Sequence, residues 1–218
     1  MSDPRLQEKE ALAALILRLR RDGMRDTELL KALEETPRGL FVPSIHSTEA
    51  YSSRLVPIEC GAFMEGADLT MQMLYLLMVR PGNRVLEIGT GSGFTAAVMA
   101  RIAERVITLD RFGTLIELAK RRFERIGAGN VAARQADGSQ GLKGEGTFDR
   151  ILVTASFEAM PRFFVDQLVA GGIAIVPIVH EDGACVLARL TKVGSRFERE
   201  DLFPVPFEPL VPGKALAL

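Results

Sequence analysis

Arg84-Val85-Leu86-Glu87-Ile88 runs directly into Gly89-Thr90-Gly91-Ser92-Gly93, and a helical pattern from Phe94 to Ala103 follows at once. No other stretch narrows the choice of fold as far. The first segment is a short apolar run, the signature of a buried strand. The glycines let backbone approach a ligand closely, and the helix that follows offers N–H groups with no intrahelical partner. A glycine loop alone is a weak signal. Between this strand and this helix it predicts a nucleotide-like ligand.

The same alternation continues. Arg105 to Leu109, Asn130 to Arg134, Asp149 to Val153 and Ile173 to Val179 read as further strands. A helix from Thr114 to Ile126, closed by Gly127, and one from Ala159 to Leu168, ended by Gly171-Gly172, separate them. Strands alternating with helices imply right-handed crossovers and a parallel sheet. Ala184 to Thr191 and Leu202 to Phe207 have no long helix between them, so they are expected to pair antiparallel at the sheet edge. The expected fold is therefore α/β: a doubly wound, Rossmann-like, mostly parallel seven-stranded sheet with an antiparallel edge and an N-terminal helical extension.

That extension starts at Asp3-Pro4, since proline is tolerated in a first helical turn. Leu12, Leu15, Ile16 and Leu19 recur at helical spacing until Gly23. Asp26 is placed to cap a second helix with Leu29, Leu30 and Leu33, ended by Pro37. Residues 37–67 are irregular, and such a stretch inside a compact domain is commonly functional. Asp68 is expected to cap a helix through Met71, Met73, Leu74, Leu77 and Met78, whose methionines read as core filler. We divide the chain at Arg80 into substrate-side residues 1–80 and a cofactor core over 81–218, one integrated domain.

With 27 basic and 28 acidic residues among 218, there is no positive excess to neutralise phosphates, which argues against nucleic acid. The basic runs Arg18-Arg20-Arg21 and Lys120-Arg121-Arg122-Arg125 read as solvated helix faces. Two cysteines and two histidines, without metal-ligand spacing, predict neither a disulfide framework nor a metal site. The start of the chain lacks the pattern of a signal peptide, and no run approaches the ~20 apolar residues of a membrane span. The expected setting is the cytoplasm, without membrane association; the sequence leaves oligomeric state open.

The loop also indicates which ligand it prefers. The dinucleotide fingerprint GxGxxG would need glycine where Phe94 stands, which argues against a nicotinamide oxidoreductase. Glu87 before the loop would repel a pyrophosphate and favour positive charge. S-adenosylmethionine, with a sulfonium, an ammonium and no phosphate, fits that demand. Asp110 ends the second strand, 21 positions after Gly89, where a carboxylate can accept ribose hydroxyls; a helix cap is its plainer role. Asp137-Gly138 after the third strand can meet the adenine amino group, or be a simple turn. The candidate cofactor residues are Glu87, Gly89, Thr90, Gly91, Ser92, Gly93, Asp110, Asp137 and Gly138.

These residues and their flanks resemble the protein-L-isoaspartate O-methyltransferase family, from about Leu29 to Leu210. The resemblance is carried by Pro37-Arg38-Gly39-Leu40-Phe41-Val42-Pro43, by Val85 to Ala97, and by Phe148-Asp149-Arg150-Ile151-Leu152-Val153-Thr154-Ala155. Ala50-Tyr51, Pro57-Ile58 and Pro209-Leu210 also fit. It implies the S-adenosylmethionine-dependent methyltransferase fold and methyl transfer to the carboxylate of isoaspartyl residues in damaged proteins, a repair reaction. A carboxylate is already a nucleophile at neutral pH, so the reaction needs positioning more than proton transfer. The resemblance also suggests Val56, Met64, Thr154 and Ala155 on the substrate side.

The substrate half departs from the family pattern. Where the family reads Gly-Gln-Thr-Ile-Ser-Gln-Pro, this chain reads Gly61-Ala62-Phe63-Met64-Glu65-Gly66-Ala67, which puts Glu65 at the family's serine. The usual Tyr-x-Asp is Tyr51-Ser52-Ser53. An ionised Glu65 would repel an acceptor carboxylate. Three readings stay open. Glu65 is a general base for a neutral acceptor, or it turns to solvent without a role, or the protein binds the cofactor without the family reaction.

Overall fold

The structure, a computed structural model, describes residues 4–215. The chain begins with α1 (Pro4–Arg21) and α2 (Thr27–Glu34). Asp3, expected at the head of α1, lies outside the described residues. Asp26 caps α2 as its position predicts, accepting from the Leu29 N–H at 3.0 Å. After two 3-10 turns come a two-residue pairing of β1 (Val56–Pro57) with β2 (Phe63–Met64), and then α3 (Ala67–Leu77). Asp68 does not cap α3. Gly66 holds the N-cap position, and Asp68 forms a bidentate pair with Arg18 of α1 at 2.9 Å, tying the two helices together. Arg18 is thus not part of a purely solvated face.

The sheet follows: β3 (Arg84–Ile88), α4 (Phe94–Ala100), β4 (Arg105–Asp110), α5 (Gly113–Ile126), β5 (Val131–Gln135) and β6 (Phe148–Val153). Then come α6 (Phe164–Gln167), β7 (Leu168–Val179), β8 (Cys185–Val193) and β9 (Arg196–Pro204). The strand order is β5-β4-β3-β6-β7-β8-β9, parallel from β5 to β7 and antiparallel for β8 and β9. The chain leaves β3 towards β4 and β5, then returns to lay β6 on its other side. That reversal opens a crevice at the carboxyl ends of β3, β4 and β6.

Successive side chains of β3 point to opposite faces. Val85 joins the larger core, with Leu15, Leu33, Phe41, Met71, Met73, Phe94 and Phe123 from the helices. The methionines of α3 are core residues, as expected. Leu86 and Ile88 face the second core, with Ile107, Leu109, Ile151, Val153 and Phe164.

Two sequence expectations fail here. No helix spans Ala159 to Leu168; only Phe164–Gln167 is helical, and β7 runs through Gly171-Gly172 instead of starting after them. Pro161 cannot donate within a helix, and Phe157 is already tied to Pro177 and Val179 of β7, so the chain is held extended there. Packed rings of Phe157, Phe163 and Phe164 cover the sheet where a longer helix was expected. The last strand is Arg196–Pro204, not Leu202 to Phe207. An edge strand rich in charge carries no apolar period, and Pro204 and Pro206 donate nothing to a ladder.

Candidate active site

The glycine loop is fixed from three directions. The N–H groups of Gly89 and Thr90 both donate to the Leu109 carbonyl, at 2.8 and 3.0 Å. Asp110 at the end of β4 accepts from Gly91 N–H through Oδ2 and from Phe112 N–H through Oδ1, each at 3.0 Å. Arg122 of α5 donates to the Ser92 carbonyl at 3.0 Å, so this cation braces the loop and is no free surface charge. Gly89, Gly91 and Gly93 all have positive φ, at 101°, 50° and 88°. A Cβ at Gly89 would lie 2.1 Å from Thr154 Oγ1, and one at Gly93 would lie 2.9 Å from the Phe123 ring. Gly91 meets only Ile58, at 3.7 Å. Packing therefore demands glycine at 89 and 93, while Gly91 leaves room that opens on a cavity.

That cavity measures about 420 Å³ and sits in the crevice at the strand ends, within the usual range for small-molecule sites. Gly89, Gly91, Asp110, Gly138, Thr154, Ala155 and Glu65 line it, which brings together residues proposed from five separate places in the sequence. Ile88, Leu109, Phe112, Leu115 and Ala136 add an apolar wall. A second recess, about 20 Å³, adjoins it and shares Phe63, Glu65, Gly89, Gly91 and Thr154; Arg38, Met64, Thr70, Thr90, Ser92, Phe94 and Thr95 complete it.

Four expected residues are placed elsewhere; Gly93 lines neither cavity and packs against Phe123 and Ala119 of α5. Glu87 lines neither cavity. It is fully buried on the helix side of β3, where Thr108 Oγ1 donates to its Oε2 at 2.6 Å. Burial pushes its pKa up to about 8, so the carboxyl is mostly neutral at pH 7 and does not supply the charge discrimination expected of it. Asp137 is also off the wall: its Oδ1 accepts from Ser139 N–H at 2.9 Å, the turn-capping role, while its neighbours Ala136 and Gly138 line the cavity. Val56 is 1 % exposed and belongs to the core.

Asp110 does face the cavity. Burial raises its pKa against the backbone N–H groups that lower it. Each of its oxygens is engaged once and has a further lone pair for a ligand hydroxyl. Glu65 is half-buried between the two cavities. Burial pushes it up to about 7. The like-charge repulsion expected of it therefore fades in neutral and mildly acidic solution, where much of the carboxyl is protonated.

Sequence reasoning missed two features. Arg38, named only as part of a motif, is 1 % exposed; its Nε donates to the Ala50 carbonyl at 2.6 Å, its Nη2 to the Glu65 carbonyl, and its guanidinium lies 4.5 Å from the Phe94 ring centroid. The other is the C-terminal strap. Beyond β9, Ser156 N–H donates to Glu208 O and Leu210 N–H to Ser156 O, both at 2.8 Å, and Ala215 N–H donates to Arg111 O at 2.9 Å. The strap thereby crosses from β6 to β4, and residues Pro206 to Val211 wall the cavity. No sequence period signals such a crossing. With Leu55 at 43 %, Phe63 at 49 % and Val211 at 52 % exposed, the rim is apolar. Among the described residues, no acidic or cysteine–histidine group could hold a metal ion, and no helix is long and apolar enough to cross a membrane.

The sequence model of the family described as protein-L-isoaspartate(D-aspartate) O-methyltransferase matches residues 9–215. A Rhizobium meliloti protein named protein-L-isoaspartate O-methyltransferase is 56 % identical, over 91 % of this chain and 97 % of that one. An Azorhizobium caulinodans protein of the same name is 44 % identical, over 97 % of each. A Plasmodium falciparum crystal structure, titled a putative protein-L-isoaspartate O-methyltransferase in complex with S-adenosyl-L-homocysteine, superposes with a TM-score of 0.79. It is 26 % identical and covers 91 % of this chain and 97 % of its own.

Proposed function

Because this chain belongs to the protein-L-isoaspartate(D-aspartate) O-methyltransferase family, we propose that its cavity holds S-adenosylmethionine beside the carboxylate of an isoaspartyl residue. The protein is an S-adenosylmethionine-dependent O-methyltransferase of that family. The reading of a diverged protein with another acceptor, kept open by the sequence, is not favoured: relatives of the same name match along almost their whole length.

The observation that carries the site assignment is the meeting of Asp110, the glycine loop and Thr154-Ala155 around one cavity. The residues fit the cofactor. Gly91 presents bare backbone to the cavity, and the lone pairs of Asp110 suit two ribose hydroxyls. The wall of Phe112, Leu115, Ala136 and Gly138 suits an adenine ring. When bound, S-adenosylmethionine supplies an electrophilic methyl group on a sulfonium. The chain's own task is to orient the acceptor and exclude water, since a carboxylate needs no base to attack.

On the acceptor side we place Glu65, Thr154 and Ala155, with Met64 at the recess, and the apolar rim of Leu55, Phe63 and Val211 against the peptide. Residues 1–80 then furnish the substrate side and 81–218 the cofactor core. The partner is a protein or peptide carrying isoaspartate, and free Cys60 and Cys185 suit a cytoplasmic setting. The test is transfer of a labelled methyl group to an isoaspartyl peptide and to its normal aspartyl counterpart. Labelling of the isoaspartyl peptide alone is expected; equal labelling, or none with bound cofactor, would refute the reading.

A further inference from the structure

Among the described residues, two cations beside the cavities hold a buried side-chain nitrogen without a hydrogen-bond partner, Arg111 at Nε and Arg38 at Nη1, and Arg38 is itself almost wholly buried. Arg38 lines the small recess behind the glycine loop. Its other nitrogens bond to carbonyl oxygens, and no carboxylate pairs with it within salt-bridge distance among the described residues. A buried cation with a free N–H is costly unless an anionic group completes it. The recess has room for about one water-sized group, and it opens on the main cavity past Phe63 and Glu65.

The charges around it decide what completes it. Glu65, from the segment before α3, is the acid that interacts most directly with the guanidinium; Tyr51 and Asp68 act on Arg38 as well. Glu65 and Asp110 of β4 both act on Glu87 of β3 as like charges. With Glu65 ionised, the Arg38 charge is balanced internally. With Glu65 protonated, the recess is left positive, and the acid itself becomes a hydrogen-bond donor.

We propose that Arg38 and Glu65 form a carboxylate-binding subsite, in which a ligand carboxylate binds as Glu65 takes up a proton. The proposal rests on the reading above for the two ligands that enter the cavity. Either can bring the group: the α-carboxylate of the cofactor's amino-acid end, or the acceptor carboxylate. Glu65 and the incoming carboxylate share one guanidinium, so a proton on Glu65 removes the competitor. The pKa of about 7 for Glu65 places this exchange near neutrality.

The sign follows from linkage. Where the complex binds one proton more than the free protein, the dissociation constant rises about tenfold per pH unit above the free-protein pKa. The test is calorimetric titration of the whole protein between pH 6 and 9, in buffers of different ionisation enthalpy. S-adenosylhomocysteine is one arm; an isoaspartyl peptide, added to protein saturated with S-adenosylhomocysteine, is the other. 5′-Methylthioadenosine, which lacks the amino-acid end, is the control. Glu65→Gln keeps a donor and cannot ionise, so its profile subtracts the ligands' own titrations; a thermal melt shows that it is folded.

Proton uptake in the first arm, absent with methylthioadenosine and in E65Q, assigns the subsite to the cofactor. Uptake in the second arm alone assigns it to the acceptor. Both ligands binding to wild type with the same pH profile as E65Q, and without uptake, would overturn the proposal while leaving the methyltransferase reading intact. Failure of S-adenosylhomocysteine to bind at any pH would instead sink that reading, and the proposal with it.

Discussion

Thr108 Oγ1 donates to Glu87 Oε2 at 2.6 Å, and the same hydroxyl lies 2.6 Å from Thr90 Oγ1 inside the glycine loop. An acid buried in β3, a hydroxyl on β4 and the ligand loop are thus one hydrogen-bonded chain. Glu87 does not touch the cavity, yet it sets the position of backbone that does. Its carboxyl is best suited to the neutral form here, since burial removes it from water and no cation balances it, which outweighs the hydroxyls of Thr108 and Thr95.

The first prediction concerns that chain. Thr108→Val removes the central hydroxyl and leaves Glu87 and Thr90 without it in a buried site. Stability should fall by about 1–3 kcal/mol, the usual cost of leaving a buried polar group unsatisfied. Urea unfolding checks this. Cofactor affinity should weaken as well, because Thr90 loses its side-chain contact with β4 and keeps only the backbone bond to Leu109. An unchanged unfolding midpoint would mean that water replaces the hydroxyl.

A second prediction uses the pH dependence of stability. Burial raises Glu87 from 4.5 to about 8, so the folded state holds a proton that the unfolded chain releases. The stabilising contribution is whole below pH 4.5 and is lost as pH rises towards 8. Glu65, raised to about 7, adds to the decline in the same direction. Wild-type protein should therefore lose stability between pH 5 and 8, and Glu87→Gln should lose less. Denaturant midpoints across that range decide it; a steeper slope in the variant would refute the assignment.

Why the loop was legible and Arg38 was not has a physical reason. Gly89, Gly91 and Gly93 sit consecutively between a strand and a helix, and their positive φ angles are a local demand that a sequence must state locally. Asp110 was legible because the end of the next parallel strand lies beside the loop in any such sheet. Arg38, by contrast, reaches the recess only because α2 and α3 pack beside α4, and no spacing encodes that. Glu87 was read correctly as special but for the wrong reason: strand alternation turns it to the helix side, with Val85 and away from the ligand. The short α6 was missed because Phe163 and Phe164 mimic a helical apolar face around Pro161.

The third prediction separates two glycines. At Gly91 an added Cβ meets only Ile58 at 3.7 Å, and the residue lines the cavity. Gly91→Ala should fold, at a cost of roughly 1–2 kcal/mol for its left-handed backbone, and bind S-adenosylhomocysteine poorly. Gly91→Val adds β-branching and should abolish binding. Gly89→Ala should fail differently, by destabilisation, because its Cβ would collide with Thr154. Thermal melts with and without ligand distinguish the cases, and full affinity in folded G91V would move the cofactor away from this loop.

Asp110 yields the fourth prediction. Its two oxygens already cap Gly91 and Phe112, so Asp110→Ala loses both loop bonds as well as any ribose bond. Affinity for S-adenosylhomocysteine should fall by about 1.5–3 kcal/mol, the range for hydrogen bonds to a charged group. Asp110→Asn keeps one acceptor and should fall less. If 5′-methylthioadenosine, which keeps the ribose, is insensitive to both changes, Asp110 serves only as a cap.

The fifth prediction addresses the strap. Residues Pro206 to Val211 wall the cavity, and their hydrogen bonds to Ser156 tie them to the end of β6; the Ala215 bond to Arg111 ties the strap to the end of β4. The sheet does not depend on them, because β9 ends at Pro204. A chain ended after Phe207 should therefore keep its strand ladder and most of its stability. It should also expose the apolar side of the cavity around Leu109 and Leu115, which the strap shields from water. Loss of that enclosure weakens every electrostatic contact inside the site. We expect S-adenosylhomocysteine to bind at least tenfold more weakly and methyl transfer to fall further, since the acceptor also loses Val211 at the rim. Circular dichroism, calorimetric binding and the peptide assay, run on the same truncated protein, provide the check. Native affinity with an intact fold would show that the strap is a passive tail, and the cavity wall would then have to be redrawn without it.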